Sequence, residues 1–118
     1  MDKGIVYKSL LYDFYGELLT DKQKDIVDMY YNSDLTLSEI SEQIGISRQG
    51  VYDTLKRADN TLKDYESKLG LVEKFLNQKT FLSKISIMLD EVLFSKNESI
   101  EDLKSKIKDI KDIVRKLI

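Results

Sequence analysis

Residues 36–57 read TLSEISEQIGISRQGVYDTLKR. Leu37, Ile40 and Ile44 recur at helical spacing and stop at Gly45. Val51 and Leu55 resume that spacing after Ser47. A glycine just past a short amphipathic helix supplies the left-handed backbone conformation that other residues enter only at steric cost. Thr36 with Glu39 forms a capping-box pattern, and Ser47 is the natural N-cap of the next helix. Two capped helices joined at a glycine, with Ile46 plugging the gap, predict a helix-turn-helix. The second helix of that motif commonly enters the DNA major groove.

Ile40, Ile44, Ile46, Val51 and Leu55 are the expected lock between the two helices, with Ser41 as the small residue early in the first. The outward face of the second helix then carries Arg48, Gln49, Tyr52, Asp53, Lys56 and Arg57. Arg48 and Gln49 fall in the first turn, where paired hydrogen bonds from Arg to guanine and from Gln to adenine are made. Lys56 and Arg57 are placed to reach phosphates. Ser47, Thr36, Ser38 and Ser33 are hydroxyls at helix starts, where anions are favoured. The expected nucleic-acid contacts are therefore Ser47, Arg48, Gln49, Tyr52, Lys56, Arg57, Thr36 and Ser38. Two residues oppose the reading. Asp53 puts a negative charge on the groove face, and Gly50 costs ~1 kcal/mol relative to Ala inside a helix. The plain alternatives are a solvated helix face for the charged residues and packing on the first helix for Tyr52. Gly50 would also permit close backbone approach by a partner.

Upstream, Val6, Leu10, Leu11, Phe14, Leu18 and Leu19 mark one helical face, with Tyr7 and Tyr15 beside it. Thr20 and Gln23 form another capping box, opening a helix with an apolar face of Ile26, Val27, Met29, Tyr30 and Tyr31. Downstream, Val51, Leu55, Ala58, Leu62, Tyr65, Leu69, Val72 and Leu76 alternate steps of four and three, a heptad seam. Gly70 predicts a break or bend within it. Phe75, Leu82, Ile85, Leu89 and Val92 predict a further helix or helix pair. After the polar stretch 95–98, Ser99 opens a last helix with Ile100, Leu103, Ile107, Ile110, Val114 and Leu117 as a second seam. The expected fold is all-α: a four-helix unit over residues 1–69 holding the helix-turn-helix, and a C-terminal helical region over 70–118 for packing or dimerisation. The seams predict a homodimer.

The chain has 118 residues and no Cys, His or Pro. Thiolate chemistry, disulfides and imidazole general bases are excluded. No Gly-rich phosphate loop, Ser/His/Asp set or metal-ligand cluster stands out, so no enzyme activity, cofactor or metal is expected. No apolar run is long enough to cross a bilayer and no signal pattern opens the chain, which points to the cytoplasm. Net charge is −2 and uneven. Residues 1–46 hold four basic and nine acidic groups, 47–95 eight and seven, and 96–118 seven and five, giving −5, +1 and +2. Phosphate contacts supply much of the affinity for DNA, so this balance counts against tight binding by a monomer.

The segments Leu11-Tyr12-Asp13-Phe14-Tyr15, Leu18 to Gln23 and Ile40 to Asp53 resemble the YlxM family of small bacterial helix-turn-helix proteins, which is similar in turn to region 4 of sigma factors. The resemblance covers roughly residues 5 to 70, with Ser47-Arg48-Gln49 followed by Val51-Tyr52-Asp53 as its most specific part; residues 71–118 match in length and helical character. Here Gly50 and Ser41 stand where the family often has Ala, which loosens the helix pair. The resemblance implies a DNA-binding or regulatory protein, with DNA as partner. It also implies an accessory role in the signal recognition particle pathway, where the particle's protein or RNA would be the partner.

Overall fold

A computed structural model describes residues 3–118, and among them there are helices and no strands. The helices are α1 (Lys3–Tyr15), α2 (Asp21–Tyr31), α3 (Leu37–Ile44), α4 (Arg48–Leu69), α5 (Leu71–Leu93) and α6 (Ile100–Leu117), with a 3₁₀ turn at Gly16–Leu18. The chain forms two units, Met1–Val72 and Glu73–Ile118.

The helix starts of the first unit are those the capping residues dictate. Thr20 and Thr36 each complete a reciprocal box: the threonine Oγ1 accepts from the backbone of Gln23 or Glu39, whose side chain accepts in return. Each box satisfies two amide donors that a helix start leaves open. α3 ends at Gly45 with φ +80°, and α4 ends at Gly70 with φ +64°, so both glycines occupy the left-handed region.

The core of this unit has two parts. Ile26, Ile40 and Val51 are fully or nearly buried and tie α2, α3 and α4 together, with Ile44, Ile46 and Leu55 packed against them. Leu11, Tyr15, Leu19, Val27, Ala58, Leu62 and Val72 join α1, α2 and α4 to the first turn of α5. The side that α1 turns inward differs from the expected stripe. Tyr15 is buried, while Val6, Phe14 and Leu18 are exposed. α1 stops at Tyr15 and the 3₁₀ turn changes the angular step, so Leu19 rather than Leu18 faces inward. Tyr30 and Tyr31 are exposed too, in edge-to-face contact with ring centroids 5.0 Å apart.

The junction of α4 with α5 rests on a buried polar bridge. Tyr15 Oη donates to Glu66 Oε1 at 2.6 Å, and the same carboxylate oxygen accepts from the Val72 amide at 2.9 Å. The Leu71 amide donates to Tyr15 Oη at 3.1 Å. Two amides of the α5 start thus find acceptors in side chains of α1 and α4. Burial, and then the Glu66 carboxylate, push the Tyr15 phenol above its ordinary pKa. The seam of α4 holds from Val51 through Leu62 and Tyr65, but the helix breaks at the left-handed Gly70, and Leu69 is 56% exposed. The heptad phase that runs through Gly70 in the sequence is therefore not one continuous seam.

In the second unit, residues 73–93 are a single stretch of helix rather than a pair, and residues 94–99 connect it to α6. Ser99 caps α6, its Oγ accepting from the Asp102 amide at 3.0 Å. α6 buries Ile110 and Ile113, whereas Ile100, Ile107 and Val114 of its expected seam are exposed.

Candidate nucleic-acid interface

The helix-turn-helix is α3, Gly45 to Ser47, and α4. Ser41 is not a loosened substitute for Ala. Its Oγ donates to the Ile46 carbonyl at 2.6 Å, a bond that closes the turn from inside. Gly50 likewise has an internal reason. Ser47 Oγ accepts from the Gly50 amide at 2.9 Å, and a Cβ at Gly50 would meet that oxygen at 3.1 Å, with Ile46 behind it. Glycine lets the cap oxygen sit close to the helix start. The close approach at Gly50 is thus made by the chain's own cap.

With Val51, Leu55, Ala58 and Leu62 turned inward, the opposite side of α4 is set by the ~100° step of the helix. Arg48, Gln49, Tyr52, Lys56 and Arg57 are all exposed. Gln49, Asp53, Lys56 and Arg57 run along that side and Tyr52 lies at its edge, whereas Arg48, expected on the same face, lies only about 50° from the inward row and is exposed because it opens the helix. Tyr52 is 48% exposed and does not pack into the core. Among the described residues, Arg48, Lys56 and Arg57 make no ion pair; the pairs in the first unit are Lys24–Glu17, Lys63–Asp59 and Lys68–Asp64.

Three of the expected contact residues are otherwise engaged. Gln49 Nε2 donates to Asp53 Oδ1 at 3.0 Å, so the side chain expected to read adenine is tied back to its own helix. Ser47 and Thr36 use their oxygens as N-caps. Ser38 is exposed in the first turn of α3, and Ser33 is exposed in the loop before it. The structure therefore gathers Arg48, Gln49, Tyr52, Lys56 and Arg57 on one helix. Thr36 and Ser38 belong to the start of the other.

A second basic row lies outside the motif. Lys104, Lys108, Lys111 and Arg115 on α6 step by four, three and four, and all are exposed. Among the described residues none of the four is ion-paired; the α6 pair is Lys106–Glu98 at 2.8 Å. The signal was available as like charges at one helical spacing, an arrangement that weakens an isolated helix by a few tenths of a kcal/mol per pair. Among the described residues no group of three or more His, Cys, Asp or Glu is placed to hold a metal, and no helix is long and apolar enough to cross a membrane.

The family described as "Putative helix-turn-helix protein, YlxM / p13 like" matches residues 2–105. The match extends past residue 70 through α5 and into α6, further than the motif-bearing segments alone. A UPF0122 protein of Thermoanaerobacter sp. (strain X514) is 56% identical over 85 residues, covering 72% of this chain and 73% of the relative. One from Acetivibrio thermocellus is 50% identical over 105 residues, covering 88% and 87%. One from Desulforamulus reducens is 44% identical over 108 residues, covering 92% and 91%. With its glycine turn, its capped helix pair and relatives matched over most of their length, the chain belongs to the YlxM / p13-like family of helix-turn-helix proteins.

Proposed function

We propose that this protein is a non-catalytic, DNA-binding regulator acting in the signal recognition particle pathway, with α4 as its recognition helix. The observation that carries the reading is on α4: Gln49, Lys56 and Arg57 stand exposed on the side away from the core, with Tyr52 exposed at its edge and Arg48 exposed at the capped helix start. Arg48 in the first turn is the base-reading residue of this proposal, and Lys56 and Arg57 are phosphate contacts. The α6 row of Lys104, Lys108, Lys111 and Arg115 adds positive charge to a chain whose first 46 residues sum to −5. The test is fluorescence anisotropy on a pool of genomic fragments across a salt series. Affinity should fall linearly in log–log form with salt, and Arg48→Ala should weaken binding about tenfold and relax sequence preference. Absence of enrichment from the pool at low salt refutes DNA as the ligand.

One observation favours a second reading, a protein- or RNA-binding accessory factor of the signal recognition particle. Asp53 sits in the middle of the α4 row and holds Gln49, which suits a partner with cationic or amide groups better than a phosphate backbone. A pull-down from bacterial lysate with and without nuclease separates the two. Retention of the particle's protein after nuclease supports the accessory role, and loss of every partner supports nucleic acid.

A further inference from the structure

We infer that the exposed side of α6 is a docking surface for an anionic lipid bilayer. Lys104, Lys108, Lys111 and Arg115 stand exposed there, and among the described residues none of them is in an ion pair. Beside them runs an aliphatic stripe of Ile100, Ile107 and Val114, which are 72%, 52% and 39% exposed. Steps of seven keep the stripe on one side of the helix, and steps of four and three do the same for the cations. Both features belong to the single helix Ile100–Leu117, so helix geometry alone fixes their relative placement.

The buried Ile110 marks the inward side of α6, with the half-buried Leu103 about 20° from it at ~100° per residue. Continuing in the same sense, the aliphatic stripe lies about 20–60° past Leu103 and the four cations about 80–140° past it. Glu101, Asp112, Asp109 and Asp102 follow in that order, on the far side. No carboxylate of α6 falls within the ~140° arc from Leu103 to Lys108. A face that only meets water gains from alternating signs. Here Lys104 with Lys108, Lys108 with Lys111, and Lys111 with Arg115 are like-charge neighbours at helical spacing, which weakens an isolated helix and favours an anionic partner.

The occupant must offer negative charge and apolar surface side by side along the ~16 Å from Lys104 to Arg115. An anionic bilayer surface does so, with headgroup phosphates directly above the acyl boundary. The long Lys and Arg stems reach the headgroups while the shorter aliphatic side chains enter below them. A cluster of this many cations on an amphipathic helix is of the size that holds anionic lipid. The two rows lie on the convex side of one helix, so one plane touches both. A nucleic-acid backbone would match the cations and leave the stripe without an apolar partner. No helix is long and apolar enough to cross a membrane, so the contact is with one surface of the bilayer. The inference is independent of what α4 contacts, since α4 lies in the first unit.

Co-sedimentation of the full chain with vesicles tests it, using phosphatidylglycerol mixed with phosphatidylcholine against phosphatidylcholine alone. At low salt the wild type should bind the anionic vesicles at least about tenfold more tightly, and the preference should fade as salt rises. Lys108→Gln with Lys111→Gln should weaken binding to anionic vesicles about 30-fold. Ile107→Asn keeps every charge and should weaken it about tenfold. Lys22→Gln with Lys68→Gln removes the same charge from exposed positions of the first unit and should leave it unchanged. The chain has no Trp, so Ile107→Trp is a single reporter whose emission should shift to the blue on anionic vesicles. These positions are exposed, so the far-ultraviolet helical signal should hold; Lys104→Gln with Arg115→Gln serves if the Lys108 and Lys111 pair loses it. No binding at low salt, or equal binding to both vesicle types, overturns the inference. Binding untouched by the α6 lysine pair or by Ile107→Asn, or an unshifted Trp, overturns it as well. A wild type that ignores vesicles, with duplex DNA or RNA affinity lowered by the Lys108 and Lys111 pair, assigns the row to a nucleic acid instead.

Discussion

Removing one oxygen atom tests what holds α1, α4 and the start of α5 together. Tyr15→Phe keeps the ring stacked on Tyr65, where the centroids lie 6.0 Å apart, and deletes only the hydroxyl. Two bonds go with it, the 2.6 Å donation to Glu66 Oε1 and the 3.1 Å acceptance from the Leu71 amide. The first is charge-assisted and buried, and the second is near the surface, where water can replace it. Together they are worth about 2–3 kcal/mol, most of it from leaving a buried carboxylate with one donor fewer. For a chain of this size that lowers the melting temperature by roughly 8–15 °C at fixed protein concentration. Tyr12→Phe is the control. Tyr12 Oη donates to Asp28 Oδ1 at 2.9 Å in a half-buried position, and its loss should cost about 1 kcal/mol or less. A double-mutant cycle of Tyr15→Phe with Glu66→Gln, followed by circular dichroism in urea, should give a coupling of about 1.5 kcal/mol. Coupling below ~0.5 kcal/mol, with Tyr15→Phe no worse than Tyr12→Phe, refutes the argument. Apolar packing around Tyr15 would then account for the junction by itself.

That bridge also marks where reading the chain stops being reliable. The motif was legible because each of its parts answers a local rule. Thr36, Gly45 and Ser47 are read from what a helix start or stop requires, and the structure places each in that role. The lock of Ile40, Ile44, Ile46, Val51 and Leu55 follows from period alone and is the core found. Glu66 obeys no local rule. It sits in a polar run and is 9% exposed, because the acceptor is needed by the amide six residues on and by a tyrosine fifty-one residues earlier. The one available clue is its place in the last turns of α4, where a carboxylate opposes the helix dipole and needs another reason to be there. The exposed face of α4 was legible for the same reason as the lock, since burying one side of a helix fixes the other. The tie between Gln49 and Asp53 at i, i+4 was readable as geometry, but a groove-centred reading treats Asp53 only as unwanted charge. Side-chain direction in the second unit was not legible. The alternation of α6 marks a wide apolar arc, and period does not tell which part of that arc the neighbouring helix covers.

Asp53→Ala should raise affinity for duplex DNA about three- to tenfold, by removing a carboxylate from the groove face and releasing Gln49; anisotropy at one fixed salt concentration measures it, and a loss of affinity would mean that Asp53 orients Gln49 for contact. Gly45→Ala should destabilise the fold by about 1–2 kcal/mol in urea, since φ is +80° there while no atom lies within 4 Å of the added Cβ; a neutral result would mean the turn relaxes out of the left-handed region. Alkaline stability should report on Tyr12. Burial, and then the hydrogen bond to Asp28, push its phenol up from 10.0 to about 12 in the folded chain. The unfolded chain therefore loses this proton first as pH rises, and unfolding is favoured progressively between pH 10 and 12. The stabilisation is complete below pH 10 and gone above about pH 12. Because the ring is half-buried, solvent screening brings the expected loss down to about 1 kcal/mol or less. The comparison that isolates Tyr12 is wild type against Tyr12→Phe. The difference in urea stability between them should shrink by that amount from pH 9.5 to pH 12, and a difference that stays constant would mean that Tyr12 holds its proton no more tightly folded than unfolded.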